Sequence, residues 1–531
     1  MESNMKNINK WLRRSLMVGF VSSTAVVWNG CTGDFDALNT SKTKLTAAEV
    51  GENDITFLFS RAQQQASYSG GTYQIAQNLF ADLYAQYFAT TATYFPSDRY
   101  VMNYNWLLGH WNPIYTDVVP QLKKVFELTD PASAEYSLAS IMWVYSFHRV
   151  TDYYGPIPYF DAGNGENTVK YDAQNLIYDD FFKRLDAATT SLKSKTTATP
   201  YGTFDLMYGG DVTKWIKFAN TLRLRLALRI SKVDPARAKT EAEAAVASGV
   251  FTDIADDTYM VKALAGDDHN GLARIAIWNE FRMSASMESV LKGTEDPRIG
   301  VYFQPASKTN TFEGVRNGLT AAELGIDANS NDNNSNVGAH WVTGSGANWD
   351  SQLTVHQDIM HASEAYFLRA EGALNGWNMG SGTAKSYYEL GITTSLSQWN
   401  ITGAAATAFV NSTKMPVAPA DQQNSPAISN IPVKWDDGST ELVKREQIGT
   451  QKWLAIYPDG IEAWAEFRRT RFPKLYNVVN SDNADVPSNT FIRRIPFLEV
   501  EKANNTAAVT AAVTLLGGPD KASTPLWWDK N

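Results

Sequence analysis

An internal disulfide is excluded, because the 531 residues include a single cysteine, Cys31. What remains for that side chain is a free thiol, an intermolecular bridge or a modification. Membrane-spanning runs are also missing. The apolar stretch "LMVGFVSSTAVVW" at 16–28 falls short of the roughly 20 residues that a span takes, and no other segment reaches that length. Catalytic signatures are lacking: there is no G-x-S-x-G elbow, no P-loop and no H-E-x-x-H pair. The six histidines are scattered, and His356 and His361 are five positions apart, a spacing that does not share a helix face. A transition-metal site is therefore not expected. Basic side chains are outnumbered, 47 against 56 acidic, and this argues against nucleic-acid binding, which draws its affinity from basic patches.

What stands around Cys31 narrows its role. Lys6, Lys10, Arg13 and Arg14 precede the apolar run, and Gly30 supplies a small residue directly before the cysteine. This is the order of a secretory signal whose cleavage leaves Cys31 as the new N-terminus. It resembles a bacterial lipobox, with Trp28 and Asn29 standing where Leu and Ala or Ser are usual. An ordinary secretory signal with an incidental cysteine is the plainer alternative. The expected layout is a signal peptide at 1–30 and a single mature domain at 31–531. Removing 1–30 takes away four basic side chains and one acid, leaving 43 against 55 and a net charge of −12.

Helical periodicity recurs along the mature chain. In "DVTKWIKFANTLRLRLALRISKVDP" the final "LRLRLALRI" alternates as a strand would, yet Trp215, Phe218 or Ala219, Leu222, Leu226 and Ile230 recur at helical spacing behind a capping Asp211. "PARAKTEAEAAVASG" follows as a second helix ended by Gly249, which completes a hairpin. Three more hairpins are expected: "IAQNLFADLYAQYFA" with "WNPIYTDVVPQLKKVFEL", "LASIMWVYSFHRVTDYYG" with "NLIYDDFFKRLDAATTSL", and "ASEAYFLRAEGALNGW" with "TAKSYYELGITTSL". In the last, Leu368, Ala370, Gly372, Ala384, Tyr388 and Ile392 place small and large residues as a tetratricopeptide hairpin does. The expected class is all-α, with about four such hairpins and loop-rich excursions near 250–350 and 400–440. Loops this long are uncommon unless they carry function.

The segments "DYYGPIPYFDA", "MSASMESVLKGTEDPRIGVYFQP", "ASEAYFLRAEGALNGW", "QKWLAIYPDGIEAWAEFRRTRFPKL", "IRRIPFLEVEKANN" and "PLWWDKN" occur in this order over nearly the whole mature chain. Together they resemble the SusD/RagB family of nutrient-binding outer-membrane lipoproteins of Bacteroidetes-type bacteria. The resemblance implies an α-helical fold with four tetratricopeptide-like hairpins, a lipid on Cys31, residence at the cell surface, no catalysis, and partnership with a TonB-dependent transporter of the SusC type. Asp34 and Asp36 resemble the acidic signal that directs such lipoproteins outward. In "EAWAEFRRTRFPKL", Glu462 and Glu466 are one helical turn apart with Arg468, Arg469 and Arg471 available for salt bridges, which reads as scaffold. Trp527 and Trp528 are expected to dock the chain end.

The aromatic count is high, with 16 Trp, 24 Tyr and 24 Phe. "TTATYFPSDRYVMNYNWLLGHW" gathers Tyr94, Phe95, Arg99, Tyr100, Tyr104, Asn105 and Trp106. Ring faces pack on the C–H faces of sugars while Arg and Asn satisfy hydroxyls that lose water bonds. Trp278, Trp341 and Trp349, in the central loops, are expected to complete that surface, and members of the resembled family build ligand sites from these two regions. The expected ligand is an oligosaccharide or polysaccharide. A peptide is the second cargo, and a surface glycoside hydrolase is the enzymatic alternative, since it needs only two carboxylates about 5–9.5 Å apart. No cofactor is expected. "DANSNDNNSN" places Asp327, Asn329, Asn331 and Asn333 at alternate positions as a calcium loop would, but Asp332 replaces the loop glycine and Gly338 the bidentate glutamate.

Overall fold

The computed structural model describes residues 50–344 and 350–530. Cys31, Asp34, Asp36 and Trp349 lie outside the described residues. Chain contacts divide the protein into Met1–Asp54 and Ile55–Asn531. Of the first unit only 50–54 is described, and there the Gly51 N–H donates to the Asp54 carboxylate at 2.9 Å beside a short turn, Glu52–Asp54. No helix among the described residues is long and apolar enough to cross a membrane.

The second unit is built from helical hairpins. Helix α1 (Ile55–Ala66) buries Phe59, Ala62, Gln63 and Ala66, one face at helical spacing. Helix α2 (Tyr104–Asn112) continues through a π-helical turn, Pro113–Val118, into α3 (Val119–Leu128), and α1 packs on that turn and on α3. This corrects the sequence expectation that 75–89 is the partner of 111–128. Residues Gln74–Asp82 form a separate π helix that packs on α2 and on Gly460–Thr470. Its seven consecutive residues Ala76 to Asp82 are all buried, so it is an internal rod with no solvent face, whereas the amphipathic α1 has the single apolar stripe that a hairpin arm needs.

The other three hairpins form as expected. α4 (Ala134–Tyr154) packs with α5 (Gln174–Leu192), and α6 (Val212–Arg229) with α7 (Pro235–Ser248). Asp211 caps α6 by accepting from the Thr213 and Lys214 N–H groups at 2.9 and 3.2 Å. Asp234 and Pro235 open α7, and Gly249, at φ +95°, closes it. α8 (Ala362–Leu374) packs with α9 (Ala384–Gln398), and α10 (Glu441–Ala455) lies against both. α11 (Gly460–Thr470) follows, and the chain end docks as expected, with Trp528 fully buried and its indole N–H donating to Asp152 Oδ1 at 2.8 Å.

The strand-like alternation in α6 now has a cause. Its arginines point inward too, because carboxylates from other helices receive them: Arg225 pairs with Glu364 of α8, and Arg229 with Glu462 at 2.5 Å and Glu466 at 3.2 Å, both of α11. Lys452 of α10 lies 3.1 Å from Glu466, and Arg469 bridges Glu466 at 2.8 Å to Glu371 at 2.6 Å. A buried ladder of charge thus ties α6, α8, α10 and α11 together. Of the bridges expected within α11 itself, Glu466–Arg469 forms. Arg468 instead lies over the Trp464 ring, 3.5 Å from its centroid, and Arg471 pairs with Asp529 at 2.9 Å.

Six short strands occur among the described residues: β1 (Phe88–Thr90), β2 (Thr258–Met260), β3 (Phe281–Met283), β4 (Val342–Thr343), β5 (Asp350–Ser351) and β6 (Gln357–Met360). They form three antiparallel pairs, β1–β3, β2–β6 and β4–β5. The β1–β3 register sets Phe88 opposite Met283 and Thr90 opposite Phe281.

Candidate functional site

The β1–β3 ladder joins the two aromatic-rich regions. Beyond its end, the Thr91 N–H and the Thr90 hydroxyl both donate to the Glu280 carbonyl, at 2.9 and 3.0 Å. The Glu280 side chain then accepts from the Tyr94 hydroxyl on one oxygen and from the Gln74 amide, at 2.5 Å, on the other. The Tyr94 bond to that carboxylate pushes the phenol up to about 12, so Tyr94 stays a neutral donor near neutral pH. Its side chain is 66% exposed, and the ring meets Phe95 edge-on at 4.7 Å; Phe95 in turn meets Trp106 at 5.5 Å.

Two residues before Glu280, the half-buried Trp278 ring lies beside Gly71, where an added Cβ would stand 3.4 Å from it. The Arg274 guanidinium sits 5.6 Å from the ring centroid. Asp267 accepts from the Gly71 N–H at 3.3 Å and lies 3.1 Å from the His269 ring. Only glycine fits at position 70, which has φ +58° and would set a Cβ 2.4 Å from the Asp267 carbonyl oxygen. The result is a continuous polar and aromatic face: Tyr94, Glu280, Gln74, Trp278, Arg274 and Asp267. Ring faces flanked by fixed carboxylate, amide and guanidinium groups suit a neutral polyhydroxylated ligand, whose C–H faces stack while its hydroxyls are paired.

The other expected residues divide. Tyr104 and Asn105 are exposed at the start of α2, which Asn103 caps by accepting from the Asn105 N–H at 3.1 Å. Trp106 is half-buried beside them. Arg99 is a brace: its Nε donates to Asp482 at 2.6 Å and its Nη1 to the Leu319 carbonyl at 3.1 Å. Tyr100 and Trp341 leave the candidate surface. Tyr100 is 5% exposed with its hydroxyl directed to the Thr490 carbonyl at 3.3 Å. Trp341 is fully buried among His340, Trp399 and Tyr457. Composition pointed to both, since rings in polar loops look exposed until the packing of distant segments is known.

A second concavity of about 330 Å³ is walled by Tyr259, His340, His356 and Trp399, with Asp358 and Gln398 as polar groups. It adjoins the first face: Asn270, which caps the short helix Gly271–Ala276 ahead of Trp278, donates to the His356 carbonyl at 2.9 Å. Just past β6, His361 sits between Asp257 at 3.2 Å and Asp358 at 3.1 Å. Burial alone would lower its pKa, but the two carboxylates overcome it and raise the imidazole to about 10. Sequence reasoning missed this concavity, along with Glu280, Gln74, Arg274 and Asp267. Only the position of Glu280 and Arg274 near Trp278 gave any signal. In the asparagine-rich loop, Asp327 pairs with Lys308 at 2.6 Å and the Asn329 amide donates to the Glu323 carbonyl at 2.9 Å. Among the described residues no group of three or more His, Cys, Asp or Glu is placed to hold a metal ion.

The hairpin scaffold with loop-borne aromatics defines an all-α protein of the tetratricopeptide-like class. By the match of residues 37–529 to the family model described as SusD-like, Susd and RagB outer membrane lipoprotein, the chain belongs to that family. Solved structures agree. A chitin-binding SusD homolog from Flavobacterium johnsoniae is 36% identical with a TM-score of 0.83, over 90% of this chain and 99% of that one. A SusD-like protein from Bacteroides thetaiotaomicron is 32% identical at 0.80, over 90% and 99%. A SusD homolog from Bacteroides uniformis is 31% identical at 0.81, over 90% and 100%. No curated protein matches.

Proposed function

We propose that this protein captures an oligosaccharide at the cell surface and passes it, uncleaved, to a SusC-like TonB-dependent transporter. The observation that carries the reading is the exposed Tyr94 ring held by the Glu280 carboxylate next to Trp278, an arrangement suited to stacking and pairing a sugar. The chitin-binding neighbour at 36% identity supports chitin-type oligomers as the first ligand to try. In this reading residues 1–30 are removed, Cys31 is acylated, and 31–531 is the mature domain at the outer membrane. Several acyl chains hold a protein on a membrane almost permanently, since each buried methylene contributes about 0.8 kcal/mol.

The test is calorimetric titration of the mature protein with chitin oligomers and a panel of other glycans, with reducing ends followed over many hours. Saturable binding with no rise in reducing ends is expected. Sustained turnover that disappears on changing one carboxylate would replace this reading with a hydrolase. Binding confined to peptides would replace the cargo.

A further inference from the structure

The two carboxylates of the aromatic face differ in their surroundings. Asp267 has cations beside it, since its Oδ1 lies 3.1 Å from the His269 ring and 3.8 Å from the Arg274 guanidinium. Glu280 has none. Its two oxygens receive the Tyr94 hydroxyl and the Gln74 amide, both neutral donors, and among the described residues it takes part in no ion pair. Arg282, the nearest cation along the chain, is buried and committed elsewhere: its Nε donates to the Asn331 carbonyl at 3.0 Å, its Nη1 to the Phe281 carbonyl at 2.7 Å and its Nη2 to the Asn279 side chain.

A carboxylate offers about four lone-pair sites, so two neutral donors leave acceptor capacity on both Glu280 oxygens. The side chain is half-buried, which limits screening of its charge. It also stands at the hydroxyl edge of the Tyr94 ring, which is 66% exposed. A β-1,4-linked sugar lying on that ring carries its equatorial substituents out past the rim, at the level of the carboxylate. The substituent that complements an anion without a counter-charge is a cation.

We propose that Glu280 selects sugars bearing a free amine, so that the ligand of this face is a glucosamine-containing oligomer of the deacetylated-chitin type. The inference rests on the reading of this face as a glycan site and names the sugar class it prefers. The ring stacks on Tyr94 while the ammonium donates to the open acceptor sites of Glu280. Such charge-assisted bonds are roughly twice as strong as the neutral bond that a hydroxyl on the same carbon would make.

The probes are β-1,4 hexamers of glucosamine, N-acetylglucosamine and glucose, alike in backbone and different only at the C2 substituent. They are titrated calorimetrically into the mature full-length protein at about pH 6, between the ordinary carboxylate and amine ranges. The glucosamine hexamer is expected to bind at least tenfold more tightly than the glucose hexamer. Glu280→Gln, which keeps the shape and loses the charge, should bring that ratio close to one. The ratio is the readout because a merely structural loosening of the face would weaken all three ligands alike. Melting temperatures establish that the variant is folded, and Glu280→Ala carries the same test if the amide is not tolerated. A preference retained in the folded variant would be general attraction of a polycation to an acidic protein and would overturn the proposal. Binding of the neutral hexamers with no preference for glucosamine would overturn it too and leave the glycan reading standing. Failure of all three hexamers to bind would remove both.

Discussion

Arg225 and Glu364 form a two-bond pair, Nε to Oε1 at 2.8 Å and Nη2 to Oε2 at 2.5 Å, with neither side chain more than 1% exposed. Removing one partner strands a buried charge, which typically costs about 3–5 kcal/mol. Glu364→Ala should fall near the lower end, because Glu462 remains 3.7 Å from Arg225. The double change Arg225→Met with Glu364→Leu should lose less than the single one. Urea unfolding of the three proteins measures this, and a double variant as unstable as Glu364→Ala would contradict the stranded-charge account.

The tryptophans should separate into two classes. Trp278→Ala is expected to weaken ligand binding by at least about 2 kcal/mol, as a hot spot does, with little change in melting temperature. Trp341→Ala, fully buried, should lower stability by about 3–5 kcal/mol, and Trp215→Ala likewise. Affinity and thermal unfolding measured on the same samples distinguish them. Normal binding by Trp278→Ala would move the ligand site elsewhere.

His361 sets a pH dependence with a definite sign. Its folded pKa, about 10, lies above the value of about 6.5 expected in the unfolded chain. The contribution from its pairs with Asp257 and Asp358 is therefore complete below about pH 6.5 and is lost as pH rises through 10. The stability difference between the wild type and His361→Gln should shrink steadily over that interval. A difference independent of pH would show that the imidazole does not titrate there.

Cys31→Ala tests the anchor. Cell fractionation should find the variant released from the outer membrane, and recovery there at wild-type level would remove the lipid from this account.

Three of the four hairpins were legible because their caps and apolar stripes are local: Asp211 and Gly249 do their work within a few residues of themselves. The first hairpin was not. Both Gln74–Asp82 and α1 carry helix-like patterns, and only the all-round burial of the former shows which one is a hairpin arm. The candidate site was half legible. Ring-rich loops marked Tyr94, Trp106 and Trp278, but aromatic content does not tell an exposed ring from Trp341, whose burial depends on Trp399 and Tyr457, 58 and 116 positions away. Glu280 and Gln74 are ordinary residues in sequence and become functional candidates only through contact across 206 positions.

The three-residue ladder between β1 and β3 has a consequence for how the protein is handled. The aromatic face exists only after segments nearly two hundred positions apart have closed on each other, a step that loop-closure entropy places late in folding. If the aromatic face is the ligand site proposed above, a chain with intact hairpins but an unzipped β1–β3 ladder would show full helical signal by circular dichroism and hold no ligand. Ligand titration therefore counts finished molecules, and the stoichiometry of a preparation is a sharper test of its folding than its helix content.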